Sequence, residues 1–271
     1  QEVPQAMVRD ALFEGQPAKW NTGMDFSAGL PTELPEGTLK AMRATLKGRL
    51  IAWDPVKQAP RWTVEHDGPW NGGILSTAGG LVFQGKLSGD LVAYDAATGS
   101  KLWSRNLKAG VAAPPVTFMI DGEQYLTVAT GWGSAFALAG GFAFERAVPP
   151  MVGRVVTFKL GAKGEIPDPP LTPVEATPKA PSFGNATQIS AGLIHYSRNC
   201  AVCHGPLAIS SGVLPDLRWS AVAADGKGWA EVVLNGSLAA NGMVAFNRQL
   251  SPADAEAIRA YVLHQANSKL S

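Results

Sequence analysis

The chain has 271 residues, 46% of them hydrophobic and 17% charged, with 30 glycines, 20 prolines and a formal net charge of +1. That balance excludes a disordered or coiled-coil chain, favours turn-rich β structure, and leaves room for one large or two ordinary domains. Charge is near neutral both before residue 160 and after 187, so no basic footprint exists for nucleic acid or an anionic membrane, and no nucleic-acid partner is expected.

The start, Gln1-Glu2-Val3-Pro4, has neither an initiator Met nor a signal-type apolar stretch, and reads as a processed, nicked or subcloned start. Residues 1–47 lack sustained periodicity and read as loop with one short helix near Thr38–Thr45. Residues 48–66 read as two strands around a Pro-containing turn. The same pattern returns at 91–103: Asp54 and Asp95 are 41 positions apart, as are Trp62 and Trp103. A period near 40 with a Trp closing each unit is the signature of propeller blades. Between the two lies Gly73–Gly85, two short apolar strands around Gly79-Gly80 that supply the inner hairpin of a four-stranded blade. Pro115–Ile120 and Gln124–Thr130 form a hairpin about Asp121-Gly122, and Val155–Leu160 is one more strand. The count is two complete blades and part of a third, too few to close a ring. Apolar strands such as Leu81–Gln84 and Val155–Leu160 are therefore expected as exposed edges that a further propeller chain or fragment must cover. The longest apolar run, 135–144, is interrupted by Gly140 and Gly141 and is about half of what a bilayer span needs.

Six prolines between 161 and 186, with almost no periodic apolar signal, mark an extended linker. Beyond it the pattern turns helical. Ile189, Leu193, Ile194 and Tyr196 lead into Cys200, and Trp229–Leu234 stops at Asn235-Gly236. Ser251-Pro252-Ala253-Asp254 caps a last helix whose apolar face is Ala255, Ile258, Tyr261 and Val262.

The two cysteines stand in Cys200-Ala-Val-Cys203-His204, the C-x-x-C-H attachment pattern for c-type haem, in which two thiols add to vinyl groups and the adjacent imidazole becomes an iron ligand. A thioredoxin-like pair needs a βαβ context, zinc needs a second ligand pair, and two inert cysteines beside an ordinary His is the bland alternative. Met243, the only methionine after Cys200, precedes the final helix, where small cytochromes place the sixth ligand. Core filler is the competing role for a lone Met. In cytochromes of this class a carbonyl such as that of Pro215 accepts the proximal His N–H and fixes the ring. His195 reads as a surface or linker contact, and His66 and His264 as structural.

The Trp repeats, Pro69-Trp70-Asn71-Gly72-Gly73, Gly131-Trp132-Gly133, the Pro-rich linker and the Cys200-to-Met243 segment, in that order, resemble the C-terminal part of the quinohaemoprotein alcohol dehydrogenases. The resemblance implies a fold that is mainly β plus α: the last blades of an eight-bladed-type propeller over 1–160, a linker over 161–186 and an all-α class I cytochrome c domain over 187–271. It also implies two cofactors, pyrroloquinoline quinone (PQQ) and covalent haem c. The catalytic Asp, the Ca²⁺ ligands, a vicinal disulfide and a stacking Trp are expected upstream of Gln1, so no catalytic residue is named here. Carried over position by position, Cys200 and Cys203 hold haem, His204 and Met243 ligate iron, and Pro215 supports His204. Trp70 and Asn71 reach the quinone edge, and Trp132 lies in a late loop of the same pocket; blade packing is the alternative for these three, as it is the expected role of Trp62 and Trp103. Val244 stands where the family often has Pro after the axial Met.

The functional expectation is the electron-transferring part of a PQQ-dependent alcohol dehydrogenase in the periplasm. Its partners would be the preceding propeller part, a small alcohol, and an acceptor that is a copper protein, a cytochrome or a membrane quinone-reducing subunit. The alternative is a non-enzymatic haem carrier tethered to a propeller used for docking.

Overall fold

The computed structural model describes residues 37–69, 71–131, 153–169, 176–210 and 212–268. The chain divides into a strand unit and a helical unit. A short helix, α1 (Thr38–Thr45), precedes the first strand.

The strand unit holds three antiparallel sheets. The first pairs β1 (Gly48–Asp54) with β2 (Ala59–His66). The second runs β3 (Ile74–Ser76), β4 (Leu81–Gly85), β5 (Asp90–Asp95) and β6 (Lys101–Asn106) in sequence order, and the third runs β7 (Val116–Ile120), β8 (Glu123–Thr130) and β9 (Arg154–Lys159). This is the meander of propeller blades. The count differs from the sequence expectation, because one sheet, not two, has four strands among the described residues. The 41-residue repeat covers only the last hairpin of each blade, so it recognises β1–β2 and β5–β6 without requiring the inner pair. Leu81–Gln84 is likewise not an edge. It lies in β4, which pairs with β3 on one side and β5 on the other. Val155–Leu160 does lie at the border of its sheet, with Val155 and Leu160 exposed.

The repeat is reproduced at its Asp turns and at its strand irregularities. Asp54 and Asp95 each end a strand, and each turns the chain by accepting two backbone N–H groups, from Val56 and Lys57 in one case and Ala97 and Thr98 in the other. Both strands carry an irregularity at the matching place, after Ala52 and after Ala93. Trp62 donates from Nε1 to the Ala96 carbonyl of the next sheet's turn at 3.0 Å. Gly99, at φ +75°, makes room for that indole: a Cβ there would stand 2.7 Å from Trp62 Cε3. Trp103 behaves differently, 39% exposed and edge-on to Phe158 at 5.4 Å. Two apolar clusters join the sheets. Leu50, Val82, Val92 and Tyr94 fill one, and Leu91, Leu107, Val111 and Val128 the other. All four residues from Leu91 to Tyr94 are buried, so β5 is covered on both faces, as a central strand of a stacked sheet must be.

The Pro-rich stretch is not free along its whole length. Ile166 packs against the second cluster, Arg154 donates to the Pro167 carbonyl at 2.6 Å, and Lys108 pairs with Asp168 at 3.1 Å. At its other end Ala180 and Phe183 pack on the core of the helical unit, Arg259 lies over the Phe183 ring at 4.2 Å, and Ser182 donates to the Leu263 carbonyl.

The helical unit contains α2 (Ala186–Asn199), the single turn α3 (Ala201–His204), α4 (Gly226–Val233) and α5 (Pro252–Asn267), joined by short 3-10 turns. Asn185 caps α2 through the Gln188 N–H, and Ser251 with Asp254 forms a reciprocal capping box on α5. Helices α2 and α5 cross at Gly192, where a Cβ would overlap the Ala257 carbonyl oxygen and come within 2.9 Å of Tyr261 Cβ. Beside that crossing the Tyr196 and Tyr261 rings meet at 5.2 Å. Trp229, on α4, donates to the Ala255 carbonyl at 2.8 Å and ties α4 to α5. No described helix is long and apolar enough to cross a membrane.

Candidate functional site

The motif Cys200–His204 folds as one helical turn beyond α2. Cys200 N–H still bonds back to the Tyr196 carbonyl, and the Cys200 carbonyl then accepts the N–H groups of Cys203 and His204. The two thiols therefore sit three residues apart on one turn, with the imidazole next to the second. Gly205 ends the turn at φ +81°, and a side chain there would overlap the Ile209 carbonyl oxygen. The Tyr196 hydroxyl donates to the Gly205 carbonyl at 2.7 Å and fixes this exit from inside the core.

Cys200 is buried and Cys203 is exposed. Burial, with the neighbouring Cys203 adding to it, pushes the Cys200 thiol up to about 12, while Cys203, though exposed at its surface, is raised by the partial desolvation of its sulfur. Both are protonated thiols near neutrality. A thioredoxin-type pair works through a lowered pKa, and here the shift runs the other way within an all-helical unit. Among the described residues no three His, Cys, Asp or Glu side chains converge as a metal cluster, so the zinc alternative gains no further ligands.

His204 is 7% exposed, and its Nδ1 lies 3.0 Å from the Pro215 carbonyl oxygen. A carbonyl only accepts, so Nδ1 carries the proton and Nε2 presents its lone pair. Burial holds the ring's pKa below the usual value despite that hydrogen bond and Asp216. The result is a neutral, oriented imidazole with one donor atom available.

The loop behind Pro215 is stitched by residues that the sequence reading passed over. Asp216 accepts the Ser210 and Arg218 N–H groups and is held bidentately by the Arg218 guanidinium at 2.9 and 2.7 Å. Ser210 Oγ donates to the Leu214 carbonyl. The signal was present in Asp216-Leu-Arg218, an acid and a base two residues apart beside the Pro, but such pairs are common on surfaces. Only burial distinguishes this one, since its side chains are 11% and 16% exposed.

Met243 lies in the loop between α4 and α5, half-buried against the same core that contains Cys200. The loop turns through Gly236 and Gly242 at positive φ, and Phe246 anchors its end with an N–H to the Val233 carbonyl at 2.8 Å. Val244 is exposed. The Tyr261 hydroxyl is fully buried and has no hydrogen-bond partner among the described residues, an orphan that a bound polar group would satisfy. His195 pairs with Asp254 at 3.1 Å, joining α2 to the start of α5.

In the strand unit, Trp70 and Trp132 lie outside the described residues. Asn71 is described and half-buried; its Nδ2 donates to the Gly68 carbonyl at 2.9 Å, which leaves Oδ1 for another donor. Gly72 and Gly73 bond to the Gly85 and Ala112 carbonyls, and Val111 forms a bridge with Gly131. The structure thus lays three segments side by side: 71–73, 111–112 and the residue before Trp132.

Three comparisons bear on this arrangement. Residues 44–126 match the family described as glucose/ethanol/alcohol dehydrogenase, beta-propeller domain, and residues 187–262 match that described as cytochrome C oxidase, cbb3-type, subunit III. The chain is 40% identical over 261 residues to the dehydrogenase subunit of a quinone alcohol dehydrogenase from Komagataeibacter europaeus, covering 94% of this chain and 34% of that one. It is 39% identical to the quinohemoprotein alcohol dehydrogenase ADH-IIG of Pseudomonas putida, over 98% of this chain and 36% of the relative. The solved structure of ADHIIG from Pseudomonas putida HK5 superposes on 84% of this chain with a TM-score of 0.75 at 41% identity, covering 33% of that chain. The Comamonas testosteroni quinohemoprotein alcohol dehydrogenase does so over 81% with a TM-score of 0.66, covering 31% of its own chain. The chain spans about a third of the length of the relatives it matches.

Proposed function

The chain belongs with the quinohaemoprotein alcohol dehydrogenases, and from that premise we propose that it carries electrons away from a quinone at which a small alcohol is oxidised. The observation that carries the proposal is the single helical turn bearing two protonated thiols and an imidazole whose Nδ1–H is committed to Pro215.

These residues fit a haem c. The thiols of Cys200 and Cys203 would hold it through thioether bonds to its two vinyl groups, an addition of S–H across C=C that needs no oxidant. His204 would offer Nε2 to the iron, with the Pro215 hydrogen bond keeping the ring from rotating and raising its basicity. Met243 would offer a thioether from the loop between α4 and α5. Haem, when bound, supplies one-electron transfer. The buried Tyr196–Gly205 contact and the part-buried Asp216–Arg218 contact fix the turn and the Pro215 loop that orient the cysteines and His204.

In the strand unit, Asn71, with Trp70 and Trp132, forms part of the PQQ pocket, and PQQ, when bound, supplies the two-electron acceptor for the alcohol. Asn71 presents its Oδ1 while Gly68 occupies its amide N–H. The catalytic base and Ca²⁺ belong to other parts of the whole protein. Covalent haem attachment implies an oxidising, extracytoplasmic compartment, which we take to be the periplasm. The onward acceptor is a copper protein, a cytochrome or a membrane quinone-reducing subunit.

The test uses the whole protein. Haem should stay with the polypeptide through acid-acetone extraction, and an added alcohol should reduce it only when PQQ is bound. Pigment lost to the solvent would remove the haem c assignment. Haem that is covalently held but never reduced through PQQ would favour the alternative of a carrier tethered to a docking propeller.

A further inference from the structure

Two polar side chains lie buried inside the strand unit with no part in the site as described. His66, at the end of β2, is 3% exposed, and Gln84, on β4, is 5% exposed. Burying both costs free energy unless each finds partners, and an apolar pair would fill the same space without that cost. Their hydrogen bonds run in one direction. Gln84 Nε2 donates to the Gly72 carbonyl at 3.3 Å, which leaves Gln84 Oε1 as acceptor for His66 Nε2–H at 2.9 Å. His66 is therefore the Nε2–H tautomer, and its buried Nδ1 has no hydrogen-bond partner among the described residues.

The chain of bonds ends on the residue after Asn71. Gly72 is clamped on its other side by its own N–H to the Gly85 carbonyl at 2.8 Å, and a Cβ on it would overlap the Val111 carbonyl oxygen. Asn71 itself is close over β1, since a Cβ at Gly48, the register partner of His66, would stand 2.7 Å from Asn71 Nδ2. His66, Gln84, Gly72 and Asn71 thus form one connected set linking β2 and β4 to the loop between β2 and β3.

We propose that the His66–Gln84 pair is a positioning device for Asn71: it fixes the Gly72 carbonyl, and through it the place where the Asn71 side chain is presented to PQQ. The inference rests on Asn71 as a quinone contact and adds residues that hold it. Neither His66 nor Gln84 touches the cofactor.

The experiment compares Gln84→Met, His66→Gln, Asn71→Ala and the Gln84→Met/Asn71→Ala double variant in the whole protein. PQQ affinity is measured by titrating PQQ into the PQQ-free protein, alongside melting temperature and backbone amide exchange at Gly72 and Gly73. Gln84→Met should weaken PQQ binding about five- to tenfold, the equivalent of one lost buried hydrogen bond, and speed exchange at Gly72. The double variant should bind no worse than Asn71→Ala alone, because both act through one group. His66→Gln, whose amide can still donate to Gln84 Oε1, should retain most of the affinity. If Asn71→Ala weakens binding and Gln84→Met does not, the pair is ordinary core, and the positioning proposal falls while the quinone contact stands. If Asn71→Ala binds PQQ normally, the quinone-contact reading falls, whatever the exchange data show. Should Gln84→Met fail to fold, His66→Leu supplies the same comparison, with wild-type affinity as the overturning result.

Discussion

At the scale of single residues, the helical unit works by assigning protons. The Pro215 carbonyl accepts the Nδ1–H of His204, which leaves Nε2 with its lone pair, and both cysteines remain thiols near neutrality, Cys200 most firmly because it is buried. Met243→Ala should abolish the weak near-infrared Met-to-iron band of the oxidised holoprotein and lower its reduction potential, because a thioether raises the potential relative to stronger donors. A surviving band would assign the sixth position elsewhere. His66 provides a pH test in the other unit. Burial lowers its pKa, Lys86 acts in the same direction, and the Gln84 hydrogen bond and Glu65 only partly oppose them. The folded state then binds its proton later than the unfolded chain does. Stability is unaffected above about pH 6.5, the unfolded value, and falls as pH drops from there towards the lower folded value. Melting curves between pH 7.5 and 5.5 should show this slope, and His66→Gln should flatten it.

At the scale of elements, the repeat in the sequence and the repeat in space coincide only in part. Asp54 and Asp95 make equivalent turns, but Trp62 and Trp103 occupy different surroundings, one bonded to Ala96 and the other exposed beside Phe158. Trp62→Phe keeps an aromatic ring and loses the Nε1 hydrogen bond, and should cost about 1 kcal/mol of stability in denaturant unfolding. Gly99→Ala should cost more than Trp62→Phe, since it forces both a left-handed residue and a contact with the indole. Equal effects would mean that the Trp docks on the turn without depending on Gly99. How much was legible follows the same division. Hairpins and capped helices announce themselves locally: Asp121-Gly122 and the Ser251–Asp254 box were readable because their chemistry is complete within four residues. The inner hairpin of the four-stranded sheet was readable too, from the turn at Gly79-Gly80. What the 41-residue repeat did not tell is that β1 and β2 form a sheet of only two strands among the described residues, because the repeat marks a hairpin and not the strands beside it. The pairing of His66 with Gln84, 18 residues apart, which β2 and β4 bring together from different sheets, was not readable either.

At the scale of the molecule, the Pro-rich stretch is divided between its neighbours. Residues 166–168 pack with the strand unit, and residues 180–183 with the helical one. We predict that residues 176–271, expressed with haem maturation, give a soluble red protein that melts higher than residues 187–271. The shorter piece loses the Phe183–Arg259 contact, the Ser182 bond to Leu263 and the Asn185 cap of α2, the last worth about 1 kcal/mol. Identical melting temperatures would place the working boundary at 187 and make the 180–185 contacts incidental.

The sequence by itself determined the order of parts, the helical turn at Cys200–His204 and the presence of blades, because each rests on residues adjacent in the chain or repeated at a fixed interval. Tertiary structure alone decided which strands pair, which Trp is bonded, that Asp216 and Arg218 support the Pro215 loop, and that His66 and Gln84 meet behind Asn71. These depend on burial and on contacts between distant residues. A side chain's letter does not reveal whether water or protein will satisfy its polar atoms; only the folded surroundings decide that.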